Sequence, residues 1–323
     1  MIIVAASHTD ETIRMCSSAG GVFSLLAERI LKDGGVVYGA AFDEKWQVVH
    51  RRVTSIKELD SLRRSKYVFS KIGTSLIDVI ADLSAGRRVL FSGTPCQVAA
   101  IRKKAGNNPC LLCVEIFCHG APRPRYWMSY LNKLCTKQKR TIADISSINF
   151  RDKNKGGWKD YNFSICFKDG HEFSQSHDEN LYMRAFLSNY LLRESCFDCK
   201  YKYPNGTCAD ITLGDFWGIS QIAPDIDNNL GTTLVIARTS LGQSFLSEIQ
   251  MEQIEIDFSI EMIARYNPAL TTSSQRPIKY KDFEIATKKS DEIIRIMRKF
   301  AGRSLYEQLY IKAARFKYRI LKR

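Results

Sequence analysis

Hydrophobic residues follow two different periodicities along the first hundred residues of the chain. Residues 22–31 repeat apolar side chains at helical spacing, residues 36–42 form a short apolar run typical of a strand, and residues 76–83 return to helical spacing. Alternating helices and strands are typical of α/β proteins. We therefore predict a mixed α/β (α+β) fold, in which a mixed β-sheet carries helices on its faces.

The pattern continues through the middle of the chain. Residues 89–91 read as a short buried strand, and Gly93-Thr94-Pro95 forms a turn before the next helix. Two later segments alternate like antiparallel strands, and Asp169-Gly170 between apolar residues predicts a hairpin turn after the second of them. The remaining predicted elements are helices at 97–104, 125–137, about 179–192 and 242–251, and strands at 111–117, 145–150, 161–167 and 232–237.

The end of the chain differs in composition from the rest. We find no convincing linker, so we predict one body over residues 1–275 and a basic helical tail over residues 276–323. Within the tail, apolar side chains recur near helical spacing between lysines and arginines, which predicts a C-terminal amphipathic helix. That helix is expected to pack on its own body or on a second subunit, with binding to a membrane surface or a partner as alternatives. The apolar residues are Leu305, Leu309, Phe316 and Ile320.

Composition places the chain among ordinary globular proteins. It has 323 residues, of which 45% are hydrophobic and 25% charged, enough to bury a core without disulfides. No apolar run approaches the roughly 20 residues of a membrane-spanning helix, and we predict a cytoplasmic protein. Because a reducing cytosol does not maintain disulfides, the ten cysteines indicate metal or redox chemistry.

The net charge of +14 does not by itself predict a nucleic-acid-binding protein. From Lys288 onwards, twelve lysines and arginines face only three acidic residues. Much of the excess therefore lies on the tail, and the body is only mildly basic. We expect no nucleic-acid partner, although such a body attracts anionic cofactors.

The segment from Leu90 to Val98 combines a strand end, a small-residue turn and a helix start. Thr94 is suited to cap that helix and Pro95 to its first turn, which leaves free backbone N–H groups that attract phosphate or a metal thiolate. Cys96 lies in this first turn, where the helix dipole favours the thiolate. The alternative is a buried thiol that only fills a turn.

A second cysteine motif, Cys196-Phe-Asp-Cys199, precedes Cys208 by a few residues. A C-x-x-C loop presents two thiolates to one metal centre, which needs further cysteines from elsewhere. Zinc is favoured if Cys208 and one more thiol complete a local site. A redox-active dithiol is less favoured, because no thioredoxin-like strand precedes the pair.

Cys118 stands where a predicted strand ends, which is where sites collect in α/β proteins, and it is the best long-range partner for Cys96. We interpret the other five cysteines as packing residues. They are Cys16, Cys110, Cys113, Cys135 and Cys166.

A run of small residues, Ser17-Ser18-Ala19-Gly20-Gly21, precedes the first long helix. It offers hydroxyls and close backbone approach to a phosphate or an isoalloxazine edge, although such runs also simply begin helices. The chain has no G-x-G-x-x-G fingerprint and no P-loop, so neither a classical Rossmann dehydrogenase nor a nucleotide triphosphatase is supported. His119 is either a proton carrier or a structural histidine beside a turn.

Seven motifs in order resemble the coenzyme F420 hydrogenase/dehydrogenase beta-subunit family. The resemblance runs from about residue 10 to 275, and within the family it is greatest to bacterial members often associated with polysaccharide biosynthesis genes. The motifs lie at residues 17–24 (SSAGGVFS), 34–40 (GGVVYGA), 65–67 (SKY), 91–97 (FSGTPCQ), 118–120 (CHG), 150–153 (FRDK) and 210–218 (DITLGDFWG).

The resemblance implies a noncovalent FAD and a nearby 4Fe–4S cluster. The implied cluster ligands are Cys96, Cys118, Cys196 and Cys199, with Cys208 as an alternative ligand. The implied flavin-site residues are Ser17, Ser18, Gly20, Gly21, Ser65, Lys66, Tyr67, Ser92, Gly93, Thr94 and Pro95.

The function implied by the resemblance is electron transfer between a hydride carrier and an iron–sulfur partner. The small-molecule substrate is not fixed, because the deazaflavin coenzyme F420 is not universal among bacterial members. Many relatives carry an N-terminal ferredoxin-like module that would end just before this chain begins, so we expect that this route of electron entry either comes from another polypeptide or has been lost. The competing hypothesis is an accessory protein of a polysaccharide pathway, stabilised by zinc or a structural cluster.

Overall fold

The computed structural model describes residues 1–204, 206–255, 259–290 and 292–302, in which eleven strands form two sheets surrounded by helices. The strands are β1 (Ile2–Ser7), β2 (Val36–Phe42), β3 (Val48–Val53), β4 (Val89–Gly93), β5 (Leu111–Ile116), β6 (Ile145–Asp152), β7 (Asn162–Phe167), β8 (Glu172–Ser176), β9 (Ile211–Asp215), β10 (Thr233–Ala237) and β11 (Glu252–Glu255). The helices are α1 (Glu11–Met15), α2 (Val22–Lys32), α3 (Ser75–Ser84), α4 (Pro95–Ala105), α5 (Pro124–Lys137), α6 (Leu181–Leu187), α7 (Ile219–Ile222), α8 (Ser240–Ser247), α9 (Ile260–Tyr266), α10 (Tyr280–Lys289) and α11 (Ile293–Ala301).

The large sheet has eight strands in the order β11-β1-β10-β9-β5-β4-β2-β3. Its central strands β2, β4, β5 and β9 are parallel to their neighbours within that group, and the flanking pairs are antiparallel. The predicted mixed sheet is thus confirmed. Because the parallel strands run the same way, their carboxyl ends share one edge, where ligand sites form in α/β proteins.

The small sheet is the antiparallel meander β6-β7-β8. Gly170 has φ +85 in the turn between β7 and β8, a conformation that favours glycine, as the predicted hairpin requires. Aromatic side chains of this sheet pack against α5 and α6 around Trp127, which has no exposed surface. Phe150 and Tyr182 lie with their ring centroids 4.9 and 5.3 Å from that of Trp127.

Most predicted elements lie within a few residues of the observed ones, but the helix expected to run to residue 192 ends at Leu187. The side chain of Asn180 accepts a hydrogen bond from the backbone N–H of Met183 and so starts α6. Asn189 then adopts φ +69, which ends helical geometry and turns the chain towards the cysteine loop.

The described part of the predicted tail contributes to the core beside the small sheet. Phe283 of α10 and Met297 of α11 are fully buried, and α11 packs on α5 and α6. The division at residue 275 stays a prediction. The amphipathic helix expected through Leu305 and Ile320 lies outside the described residues. No helix in the described ranges is long and apolar enough to cross a membrane.

Candidate functional site

The turn after β4 places Cys96 at the start of a helix. Thr94 is the N-cap residue of α4 and Pro95 is its first helical residue, as predicted. The Gln97 side-chain oxygen accepts hydrogen bonds from the backbone N–H and the hydroxyl of Thr94, at 3.1 and 3.0 Å. The Thr94 hydroxyl also lies 3.2 Å from the Cys96 sulfur, so the cap and the thiol form one unit.

A network of buried hydrogen bonds fixes the turn between β4 and α4. The Gln97 amide donates to the backbone carbonyl and the hydroxyl of Ser70, at 3.0 and 2.9 Å. His50 contacts the Ser70 hydroxyl through Nδ1 and the Ser92 carbonyl through Nε2, each at 3.1 Å, and stacks on Phe91. Burial lowers the pKa of His50 to about 4. The network was not apparent from sequence, since its members come from three distant segments.

The four cysteines that resemblance assigns to a cluster line one cavity of about 190 Å³. Cys96 begins α4, Cys118 follows β5, and Cys196 and Cys199 lie in the loop after α6. The backbone N–H of Ala121 donates to the Cys196 sulfur at 3.4 Å, and that of Cys199 donates to the Ser273 hydroxyl at 2.9 Å. These bonds fix the loop against two other segments of the chain.

Cys208, the alternative ligand, does not line this cavity. It is exposed, and its carbonyl accepts from Arg102 of α4. Of the cysteines interpreted as packing residues, Cys113 and Cys135 are buried in the hydrophobic core. Within the described ranges, no group of three or more histidine, cysteine or acidic side chains is arranged to hold a metal ion.

Burial disfavours the thiolate form of two of the four thiols in the cavity. Burial raises the pKa of Cys118 to about 12 and also raises the pKa of Cys196. Lys202 also lines the cavity, and its ammonium donates to the carbonyls of Cys118 and Ala269 at 2.6 and 2.5 Å. Binding of a metal centre by these thiols therefore has to release protons.

A larger cavity of about 260 Å³ adjoins the cysteine cavity. The two share Phe69, Thr94 and Ala121 in their walls. Two of the predicted flavin-site residues do not line the larger cavity. Pro95 lines the cysteine cavity, and Gly20 lies between Ala19 and Gly21, which both line the larger one. The predicted residues that do line it are Ser17, Ser18, Gly21, Ser65, Lys66, Tyr67, Ser92, Gly93 and Thr94.

Close backbone approach explains the glycines of the small-residue loop. A Cβ on Gly20 would lie 2.5 Å from the Ala6 carbonyl oxygen and 2.8 Å from the Thr233 nitrogen, which no side chain tolerates. Gly21 has φ +89 and is the N-cap of α2, a backbone conformation that favours glycine. The loop is therefore pressed against β1 and β10 so that its serines face the cavity.

Polar contacts join this loop to other segments. Ser18 Oγ accepts from the backbone N–H and the hydroxyl of Ser65, at 2.6 and 2.8 Å. The buried ammonium of Lys153 donates to the carbonyls of Arg14, Ala19 and Leu230. Burial, together with the neighbouring Arg64, lowers the pKa of Lys66 to about 7.

Sequence reasoning missed an ion pair in the wall of the larger cavity. Arg151 Nη1 donates to Asp215 Oδ2 at 2.6 Å, and both residues line the cavity. Although burial acts to lower the pKa of Arg151, the charge of Asp215 raises it above its ordinary value. Arg151 belongs to the motif FRDK and Asp215 to the motif DITLGDFWG. A charged residue within a strand, as each of them is, was the only sign in the sequence of this ion pair.

Two comparisons with known proteins agree with this architecture. The two family models that match describe the N-terminal and the C-terminal parts of the "Coenzyme F420 hydrogenase/dehydrogenase, beta subunit", over residues 3–76 and 86–259 respectively. One of the solved structures that match is the F420-reducing [NiFe] hydrogenase complex from Methanosarcina barkeri. The TM-score is 0.57 at 17% identity, over 90% of this chain and 93% of that chain, which is a likeness of fold. A search of curated proteins finds no match.

The fold is that of a mixed α/β protein with two adjoining cavities at the carboxyl ends of its parallel strands. Since the C-terminal family match alone spans more than half of the sequence, the chain belongs to the coenzyme F420 hydrogenase/dehydrogenase beta-subunit family. This is a family of electron-transfer oxidoreductases.

Proposed function

We propose that the protein is an FAD- and 4Fe–4S-dependent oxidoreductase that passes electrons between a hydride carrier and an iron–sulfur partner protein. The observation that carries the proposal is the shared wall of the two cavities. Phe69, Thr94 and Ala121 border both, so groups bound in the two cavities would lie on opposite sides of the same few residues. Such proximity is what electron transfer between two redox groups needs.

The residues present suit these cofactors. Four thiols around one cavity are the donor set that a 4Fe–4S cluster takes, although among the described residues they are not yet arranged around a common metal position and would have to close on the cluster. The larger cavity combines serine hydroxyls and Arg64 with an apolar wall, which suits a phosphate-bearing cofactor with a flat ring. When bound, the flavin would supply hydride chemistry and the cluster single-electron transfer.

The chain's own residues then have distinct tasks. Thr94 and the network below it hold Cys96 in place, and Lys202 fixes the backbone of Cys118. Ser18 and Ser65 hold one wall of the larger cavity through their mutual hydrogen bonds. The neighbouring Lys66 donates from its amine to the carbonyls of Ser61 and Arg63 and so fixes the segment that carries Ser65.

The compartment and the wider role are also part of the proposal. All ten cysteines lie in the described ranges and are unpaired there, which suits a reducing cytoplasm. The solved relative is part of a hydrogenase complex, which supports a partner protein as the source of electrons. The hypothesis also includes two further points: coenzyme F420 is the hydride carrier, and the protein is linked to polysaccharide biosynthesis.

Anaerobic reconstitution with iron, sulfide and FAD tests the proposal. We expect the wild-type chain to take up about four irons, as four-thiolate ligation requires, together with one flavin. Cys199→Ser should lose the cluster, whereas Cys166→Ser, a half-buried thiol on β7, and the exposed Cys208→Ser should keep it. A colourless protein that holds only zinc would overturn the proposal, and equal iron in all three variants would overturn the ligand assignment.

A further inference from the structure

Lys153 is a buried lysine that binds backbone carbonyls. The residue is 3% exposed, and its ammonium donates to the carbonyls of Arg14, Ala19 and Leu230 at 2.7, 3.1 and 2.6 Å. No carboxylate in the described part of the chain forms an ion pair with this ammonium. Because burying a charge without an opposite charge is costly, the role of Lys153 lies in the carbonyls that it holds together.

The three carbonyls belong to three segments that meet beside the larger cavity. Arg14 lies in α1, Ala19 lies in the small-residue loop (residues 17–21) and lines the larger cavity, and Leu230 lies in the loop before β10. Lys153 itself follows β6 and does not line the cavity. One ammonium outside the cavity therefore joins part of the cavity wall to two other segments of the chain.

The small-residue loop and the loop before β10 approach each other closely. Gly231 has φ +101, and a Cβ on it would lie 2.9 Å from both the carbonyl carbon and the carbonyl oxygen of Ala19. Arg14 crosses the same place, since its Nε donates to the Gly231 carbonyl at 2.9 Å. The Ala19 carbonyl thus points away from the cavity, towards Lys153 and the neighbouring loop.

The Ala19 carbonyl depends on Lys153 more than its neighbours in the loop do. The Gly20 N–H donates to Thr233 Oγ1 at 2.9 Å, and Ser18 is held by Ser65. For the carbonyl of Ala19, Lys153 is the hydrogen-bond donor that the described residues supply. Without the ammonium, the peptide group between Ala19 and Gly20 is free to turn, in the middle of a loop that forms the cavity wall.

We propose that Lys153 is a positioning residue for the flavin, because it holds the small-residue loop in the shape that binds the cofactor. This inference rests on the proposed function. Loss of the ammonium leaves the Ala19 carbonyl without its donor, so the loop adopts other shapes for part of the time. If the binding shape is populated a tenth of the time or less, the apparent Kd for FAD rises about tenfold or more.

Two substitutions at Lys153 and two controls test the inference. Lys153→Met removes the donors and keeps an unbranched side chain, and Lys153→Arg keeps a charged donor. Lys155→Met is the matched control, since Lys155 is an exposed lysine two residues further on that pairs with Glu172. Met297→Ala is the control for stability, because Met297 lies in the core around the small sheet.

The measurements are the Kd for FAD, thermal unfolding, and amide hydrogen exchange of the protein without FAD. We expect Lys153→Met to bind FAD about tenfold or more weakly and to exchange faster in the small-residue loop, with unchanged exchange in β4. Lys153→Arg should lie between Lys153→Met and the wild type in both properties. Lys155→Met should match the wild type, and Met297→Ala should unfold at a lower temperature but keep its affinity for FAD.

A second variant covers the case in which Lys153→Met does not fold. Gly231→Ala places a Cβ against the Ala19 peptide group and leaves Lys153 intact. It should also weaken FAD binding and speed exchange in the small-residue loop, because it disturbs the same contact between the two loops.

Three results would overturn the inference. If the wild type binds FAD and Lys153→Met keeps its affinity, the inference fails while the proposed function stands, whatever the exchange of the loop. Weaker FAD binding with faster exchange throughout the chain would show that Lys153 stabilises the whole fold and does not position the loop. If the wild type takes up no flavin after reconstitution, the proposed function and the inference fail together.

Discussion

At the scale of single residues, His50 shows how burial of a titratable group makes a site sensitive to pH. Both ring nitrogens are engaged, one with the Ser70 hydroxyl and one with the Ser92 carbonyl. Because burial lowers the pKa from 6.5 to about 4, the folded protein favours the neutral ring. Its contribution to stability is fully present above pH 6.5 and is lost as the pH falls towards 4.

We therefore predict that His50 makes the protein acid-sensitive. Between pH 7 and 4 the wild type should lose about 3 kcal/mol of unfolding free energy through this group, and His50→Gln should lack that loss. Urea denaturation at a series of pH values measures it. His171→Gln, at an exposed histidine of the hairpin, should behave like the wild type. Parallel pH profiles for His50→Gln and the wild type would contradict the assignment.

At the scale of elements, the start of α4 links helix stability to the presentation of Cys96. Thr94 caps the helix, its hydroxyl contacts the Cys96 sulfur, and Gln97 ties the cap to Ser70. The N-cap of α9, Ser259, accepts the ordinary hydrogen bond from the backbone N–H of Met262 and has a side-chain hydrogen bond with Glu261. The two caps thus share a structural role, but only one touches the cysteine cavity.

Comparison of these caps separates the two roles of Thr94. Thr94→Val and Ser259→Ala should each cost about 1 kcal/mol of stability, as loss of an N-cap usually does. Only Thr94→Val should also reduce iron uptake during reconstitution, because it frees the turn that holds Cys96. Thermal unfolding and iron analysis of both variants measure this. Undiminished iron in Thr94→Val would show that its hydroxyl serves the helix alone.

At the scale of the whole molecule, the helices after residue 275 complete the core around the small sheet. Met297 has no exposed surface and packs among residues of α5 and α6, whereas Ile285 of α10 is 51% exposed. Met297 belongs to the same hydrophobic cluster as Trp127, Phe150 and Tyr182. These helices therefore contribute to stability although they lie beyond both family matches.

We predict that this packing is worth several kcal/mol. Met297→Ala should lower the free energy of unfolding by about 2–5 kcal/mol, the usual cost of a cavity in a core. Ile285→Ala should change it by less than about 0.5 kcal/mol, as is typical of exposed positions. Chemical denaturation of the two variants and the wild type gives both values. A small effect at Met297 would mean that α11 is only loosely attached.

The sequence predicted some elements well and others not at all. The bounds of β2 and nearly all of α2 follow from apolar periodicity, and the cap of α4 follows from Thr94 and Pro95. β3, β8 and β11 gave no clear apolar pattern, since edge strands are partly exposed and their pairing depends on distant neighbours. The end of α6 depends on the left-handed conformation of Asn189, which apolar spacing does not reveal.

The sequence by itself determined the mixed α/β class, the family and a set of candidate thiols, because periodicity and ordered motifs are local properties of the chain. Only the tertiary structure decided that Cys96, Cys118, Cys196 and Cys199 line one cavity and that Cys208 does not. It also brought Arg151 to Asp215 across two sheets. The physical reason is that cavities are bounded by residues far apart in sequence, and packing of the sheets alone brings those residues together.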